Sequence, residues 1–155
     1  MKICKFGGTS ISNDTRCQYA LNIVSRLNKK HKIIVVISAM GRMGDPYATD
    51  TLSSLGNAYL SEQEKARLLS MGELVSSISF CAKLRDKGLN AYALSFRETG
   101  IISDDNYECA NVISLDNTEL FKGVRQRNGF RAITVKNTKK TKRNHTGAGC
   151  GAFGF

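Results

Sequence analysis

Apolar positions along the first 120 residues switch between short unbroken runs and helical spacing, which predicts strands alternating with helices. Ile3, Cys4 and Phe6 suit a buried strand. Past the polar stretch from Gly7 to Asp14, the positions Ala20, Leu21, Val24 and Leu27 recur at helical spacing, and the segment ends in Asn28-Lys29-Lys30-His31-Lys32. Five β-branched residues follow without a break, Ile33-Ile34-Val35-Val36-Ile37, as in a strand buried on both faces of a parallel sheet. Two parallel strands joined by a helix form a βαβ unit, whose right-handed crossover puts both strand ends on one edge. The small residues Ser38-Ala39-Met40-Gly41 close the second strand, so their turn is expected beside the one at Gly7-Gly8.

Arg42 to Asp50, with the one proline of the chain at Pro46, reads as a loop, and Thr51 to Leu60 as a helix with Leu52, Leu55 and Tyr59 on one side. Ser61 stands three residues before Glu64, the spacing of a capping box, ahead of a longer helix through Leu68, Leu69, Leu74, Val75, Ile78 and Cys81. Glycine costs a helix interior about 1 kcal/mol relative to alanine. Gly72 therefore implies either a close backbone approach or a break that presents Glu73, unless it is a tolerated glycine beside a solvated carboxylate. Gly88 is a candidate C-cap, Leu89 to Leu94 a further strand, Ser95 to Gly100 a loop, and Ile101-Ile102 a short extended piece. Val112 to Leu115 suits a strand and Thr118 to Gly123 a short helix. The β-α rhythm is that of an α/β layered domain.

A chain of 155 residues is one ordinary domain. No apolar run approaches the roughly 20 residues needed to cross a bilayer, and the opening Met1 to Lys5 lacks the apolar core of a signal peptide. A cytoplasmic protein is expected. The five cysteines, Cys4, Cys17, Cys81, Cys109 and Cys150, are scattered and odd in number, which suits buried, reduced thiols rather than a disulfide framework or zinc site. His31 and His145 have no ligand partner at metal-site spacing. The net charge of +10 changes the picture less than it first suggests. Residues 1–121 hold 14 of the 23 Lys and Arg and all 13 acidic residues, whereas the nine basic residues from Lys122 to Arg143 have no acidic one among them. The excess belongs to the tail.

The stretch with most chemical character is Lys5-Phe6-Gly7-Gly8-Thr9-Ser10. Paired glycines after a strand let the backbone turn sharply and bring unhindered N–H groups close to an anion. Thr9 and Ser10 add hydroxyls, Lys5 a point charge, and Asn13 or Asp14 can cap a following helix whose positive end points at the same spot. An ordinary strand-to-helix turn with a surface lysine has the same local sequence.

Four motifs in order and at suitable spacing go further: Lys-Phe-Gly-Gly-Thr-Ser (5–10), Val-Val-Ile-Ser-Ala-Met-Gly (35–41), Gly-Asp-Pro-Tyr-Ala-Thr-Asp-Thr-Leu (44–52) and Gly-Glu (72–73). Together they resemble the amino-terminal half of the aspartokinases, over roughly the first 125 residues. The resemblance implies a three-layer α/β/α sandwich with a mainly parallel sheet, and transfer of the ATP γ-phosphoryl group to the side-chain carboxylate of L-aspartate. It implies ATP with Mg2+, although no metal ligand is identified in this chain. By the same resemblance, Lys5 would stabilise charge on the transferring phosphoryl group and the Gly7 and Gly8 amides would cradle phosphate oxygens. Thr9, Ser10, Thr49 and Glu73 would hold the amino acid, with Glu73 facing its ammonium group.

The family pattern continues with a Gly-Phe-Gln-Gly strand end and then Gly-Arg-Gly-Gly-Ser-Asp, neither of which is present. Residues 1–127 therefore read as the amino-terminal part of the kinase domain, truncated and inactive alone. Residues 128–155 read as a basic tail, disordered or produced by a change of reading frame near residue 128. Cutting the sheet leaves apolar surface, so self-association or a partner supplying the missing half is expected. Neither nucleic acid nor a membrane is expected as a partner on this reading. The alternative is a non-enzymatic protein, either a decayed kinase domain or a small basic nucleic-acid binder whose Lys136 to Arg143 would hold phosphate backbones weakly and with strong salt dependence.

Overall fold

The computed structural model describes residues 1–107, 109–116, 118 and 130–133. Its elements are β1 (Lys2–Phe6), α1 (Asp14–Asn28), β2 (Ile33–Ile37), α2 (Thr49–Ser54), α3 (Glu62–Asp86), β3 (Ala91–Leu94), β4 (Ile101–Ser103), β5 (Val112–Leu115) and β6 (Phe130–Ile133). Four strands form one sheet in the order β1-β2-β6-β3, parallel throughout, with β1 and β2 in register from Lys2 opposite Ile33 to Phe6 opposite Ile37. β4 and β5 pair antiparallel as a separate ribbon.

The alternation of side chains along the strands decides what the sheet buries. From β2, Ile33, Val35 and Ile37 enter one core with Cys17, Ala20, Leu21 and Val24 of α1 and Phe80, Cys81 and Leu84 of α3. Both long helices therefore cover the same face. Phe6 packs into this core from β1, its ring 6.0 Å from that of Phe80. Ile34 is buried as well, so β2 is enclosed as its unbroken apolar run predicts, whereas Ile3 on the edge strand β1 is 67% exposed. Among the described residues, the sheet and one helical layer of the expected three-layer sandwich are in place. An ion pair joins the helices, Lys83 Nζ to Asp14 Oδ1 at 2.7 Å, with Asp14 nearly fully exposed; it orients α1 against α3 more than it stabilises them.

Helix ends follow the local chemistry. Asn13 caps α1, its side chain accepting from the Arg16 amide. The capping box of α3 is complete: Ser61 Oγ accepts from the Glu64 amide while the Glu64 carboxylate accepts from the Ser61 amide. At the other end, Leu89 N–H reaches Leu84 O and Gly88 N–H reaches Arg85 O. That Schellman motif requires the left-handed backbone at residue 88, and Gly88 supplies it at φ 77°.

Two expectations change, and one pair of alternatives is resolved. The helix predicted over Thr51 to Leu60 runs instead from Thr49 to Ser54, because Gly56 and Asn57 end it and Asn57 Oδ1 takes the Tyr59 amide; Leu55 and Tyr59 are left exposed. α3 passes through Gly72 without a break. The sheet also extends beyond the boundary drawn at residue 127, because β6 lies between β2 and β3 and is paired on both sides. Phe-Arg-Ala-Ile in a basic context carries almost no strand signal; its two neighbours create it. The remainder of the tail expectation, the helix over Thr118 to Gly123 apart from Thr118, and Lys136 to Arg143 lie outside the described residues.

β6 is the only described link between β2 and β3 within the sheet. Ala132 stands opposite Val35 on one side and Ala93 on the other. Proline there removes a ladder donor in a central strand, so Ala132→Pro is expected to lower unfolding free energy in urea by about 3 kcal/mol. An unchanged midpoint would mean that residues 130–133 do not join the sheet.

Candidate functional site

The site is built where the carboxyl ends of β1 and β2 meet. After β1 the chain passes Gly7 and enters one turn of 3-10 helix, Gly8–Ile11, which separates the glycines from α1. The turn and not α1 therefore presents its opening amides beside the glycines, since the amino end of α1 is already capped by Asn13. The first amides of such a turn have no intrahelical acceptor, and Gly7 offers no side-chain cap. Open space surrounds the Gly7 Cα: a Cβ built there meets nothing within 4 Å.

Gly8 is different. A Cβ at that position would lie 2.2 Å from the carbonyl oxygen of Ala39, closer than any side chain can approach, and 3.1 Å from that of Gly41, a tight contact. The second turn thus lies on the first, as the βαβ reading predicts, tied by Ser38 N–H to Phe6 O at 3.2 Å and Gly41 N–H to Gly8 O at 3.3 Å. Gly41 has φ 91°, which swings the chain into the Arg42–Asp45 turn, where Asp45 Oδ2 accepts from the Arg42 amide at 2.8 Å.

α3 closes the cluster from the helical side. Ser76, fully buried, accepts from the Met40 amide at 2.9 Å and donates to Gly72 O at 2.7 Å, so one hydroxyl clamps the second turn to the helix. One turn earlier, a Cβ on Gly72 would lie 2.6 Å from Tyr47 O, 2.8 Å from Ala39 Cβ and 3.1 Å from Leu52 Cδ1. Gly72 is the close backbone approach that its cost in a helix implies. Glu73, beside it, is 4% exposed. Thr49 is the first residue of α2, half-buried, in the same passage of chain as Tyr47 and Leu52, which crowd Gly72.

Of the candidate residues, Gly7, Gly8, Thr9 and Ser10 form one turn that shares a wall with Ala39 and Gly41, and Thr49 and Glu73 belong to segments packed on that wall. Lys5 stands apart. It shares the β1 face of Ile3 rather than that of Phe6 and is solvent-exposed, its backbone in the β1–β2 ladder. Arg16 adds a cation that sequence reasoning missed: its guanidinium donates to Thr9 O at 3.0 Å and, with Phe6, Ser10 and Tyr19, lines a shallow hollow of 290 Å³. Ser76 was missed too. A serine amid apolar helical positions carries no signal unless its spacing from Gly72 is noticed. A larger cavity of 380 Å³, bordered by Leu60, Ala66, Leu69 and Tyr107, touches none of the candidate residues.

Among the described residues, no group of three His, Cys, Asp or Glu could hold a metal. Cys17 and Cys81 are buried and Cys4 is half-buried, and burial pushes all three thiols up, which keeps them unreactive. Cys109 is exposed, contrary to expectation, because it sits in the polar loop between β4 and β5.

A parallel sheet whose first two strands end in packed glycine turns, with a long helix clamped on them, defines an α/β layered domain. Residues 1–149 match the amino acid kinase family, and the chain belongs to it. It is 37% identical over 146 residues to aspartokinase 1 of Bacillus subtilis, covering 88% of this chain and 36% of that protein. It is 32% identical over 149 residues to the aspartokinase of Rickettsia bellii, covering 90% of this chain and 36% of the relative. Two solved structures share the fold: aspartate kinase from Synechocystis (TM-score 0.68, 24% identity, 86% of this chain and 21% of that one) and Escherichia coli aspartokinase III with aspartate and ADP (TM-score 0.64, 17% identity, 86% and 40%). The chain thus spans little more than a third of the length of these curated relatives.

The two adjacent glycines separate packing from openness. Gly8→Ala is expected to cost about 1–3 kcal/mol in urea unfolding, since backbone must move to admit the methyl group. Gly7→Ala, at φ −77° and facing open space, is expected to change stability by less than about 0.5 kcal/mol. Equal effects would contradict the contact of the two turns.

Proposed function

We propose that this chain is the amino-terminal part of an aspartate kinase, holding the phosphate turn and part of the amino-acid pocket. The observation that carries the reading is the packed junction of Gly8, Ala39, Gly72 and Ser76, which puts open amides and a buried carboxylate on neighbouring segments at one sheet edge. The names of the relatives agree, and one of the structures sharing the fold contains aspartate and ADP.

The residues fit a nucleotide phosphate. The amides opening the 3-10 turn can donate to its oxygens, and the free approach over Gly7 leaves room for them. Lys5, exposed at the end of β1, supplies a mobile positive charge to the phosphoryl group in flight. ATP, carrying Mg2+ on its phosphates, supplies the phosphoryl group; no described residues form a resident metal site. Glu73 receives the ammonium group of aspartate. A carboxylate shielded from water attracts a cation more strongly than an exposed one, so its burial serves selection of an amino acid over a simple dicarboxylate. Thr9, Ser10 and Thr49 offer hydroxyls to the substrate. An oxygen of the aspartate side-chain carboxylate attacks the γ-phosphorus, the bond to the β-phosphate bridging oxygen breaks, and ADP leaves with that electron pair. The product, 4-phospho-L-aspartate, opens the route to lysine, threonine and methionine, a cytoplasmic role. Among the described residues, no helix is long and apolar enough to cross a membrane.

Positioning dominates phosphoryl transfer, and Gly-Arg-Gly-Gly-Ser-Asp is absent from the 155 residues. ATP-dependent hydroxamate formation from L-aspartate is expected to be undetectable for this chain alone and to return when it is joined to the remaining kinase sequence. In the joined protein, Lys5→Ala is expected to lower kcat by about 10²–10³-fold, and Glu73→Ala to raise KM for aspartate. Turnover by the 155-residue chain alone would refute the need for the missing part. Full activity of Lys5→Ala would remove Lys5 from the phosphate site.

A further inference from the structure

Arg16 stands where the first turn of a helix ordinarily holds the opposite charge. It is three residues past the Asn13 cap of α1, the position from which a capping box sends a glutamate back to the cap amide, and a cation there faces the positive end of the helix. Its guanidinium reaches further back instead, to Thr9 O at 3.0 Å. Side chains lean toward the amino end of a helix, so this position suits a long donor aimed at the turn that precedes α1. The three carbonyls at the head of that turn are all engaged. Gly7 O accepts from the Ser10 amide at 2.9 Å and Gly8 O from the Gly41 amide at 3.3 Å, whereas Thr9 O accepts from two side chains, Arg16 Nη1 and, at 3.2 Å, Ser12 Oγ. Backbone holds the glycine end of the turn, and side chains hold the hydroxyl end.

We propose that Arg16 is a positioning residue for the amino-acid side of the site. The Thr9 carbonyl belongs to the peptide that joins Thr9 to Ser10, so holding its oxygen fixes the plane from which both hydroxyls depart. The bond to a guanidinium is charge-assisted, and it keeps that oxygen directed at α1 rather than toward an incoming carboxylate. The role toward substrate rests on the phosphotransfer reading above, in which Thr9 and Ser10 meet the amino acid. Gly8, which that reading gives to the phosphates, is tied to the second turn through Gly41 and does not depend on Arg16. This division separates positioning from plain charge. Removing a cation near the turn acts in proportion to ligand charge and would weaken the nucleotide more than aspartate, whereas removing a tether at Thr9 weakens aspartate alone.

Amide hydrogen exchange, followed by NMR on the full 155-residue chain, tests the tether without any activity. In Arg16→Ala the Ser10 amide is expected to exchange about fivefold faster or more. The amide of Val35, fully buried in β2, is expected to exchange as before, because the Arg16 side chain is solvent-exposed and outside the core. Arg16→Lys keeps the charge on a shorter stem without the planar fork, and is expected not to restore protection at Ser10. In the chain joined to the remaining kinase sequence, Arg16→Ala is expected to raise KM for aspartate by about fivefold or more and KM for ATP by less than about twofold. Unchanged exchange at Ser10, full restoration by lysine, or a KM for ATP that rises as much as that for aspartate would each overturn the proposal. An inactive joined protein would overturn the phosphotransfer reading and with it the role toward aspartate, while the exchange rates would still decide whether Arg16 holds the turn.

Discussion

The contact of Gly8 with the Ala39 carbonyl governs the arrangement at the sheet edge. Parallel strands joined by a right-handed crossover end side by side, and the turns leaving them compete for one space. Here the competition is resolved by removing a side chain: 2.2 Å from a Cβ to a backbone oxygen is impossible, so the turns meet only because residue 8 has none. The rest follows by contact. With the second turn resting on the first, the Met40 amide points toward α3, where Ser76 receives it, and Ala39 crowds the helix at Gly72. Glu73 is next in sequence, so its place at this edge is a consequence of glycine geometry two segments away.

Two glycines in different elements therefore serve one junction by different routes. Gly8 admits a carbonyl to the back of a turn, and Gly72 admits a loop backbone and a methyl group to the side of a helix. The helix bears the cost of Gly72 because its ends are strongly specified, by the capping box at Ser61 and the Schellman motif at Gly88. Strong ends keep a 25-residue helix continuous through a residue that would weaken a shorter one. The same continuity carries the apolar row of Met71, Leu74 and Ile78 along the outer side, where the sheet cannot reach it.

β6 gives the sheet a non-local character. β2 and β3 are joined through α3 but separated in the sheet, and the gap is filled by residues nearly forty positions beyond β3. Chain closure over that distance precedes any gain from the ladder, so the βαβ unit of β1, α1 and β2 is the natural early structure and β6 a later addition. An arrangement of this kind binds the fate of the sheet to a segment of weak intrinsic preference.

Most of the framework was legible in the amino-acid sequence, because it rests on local physics. Unbroken β-branched runs mark enclosed strands, a serine three residues before a glutamate marks a helix start, and a glycine after charged residues marks its end. The pairing of the two small-residue turns was also legible, since the handedness of the crossover leaves one arrangement. Other features were decided only by tertiary structure. Ser76 has no local reason to matter, and acquires one when the Met40 amide needs a buried acceptor. Phe130–Ile133 becomes a strand because two edges need a partner, not because its residues favour one. Leu55 and Tyr59 look like a helical face by spacing, yet Gly56 and Asn57 satisfy the backbone another way and the face never forms. Periodicity reports what a segment can bury; whether it is buried depends on which backbone groups and surfaces the rest of the chain brings against it.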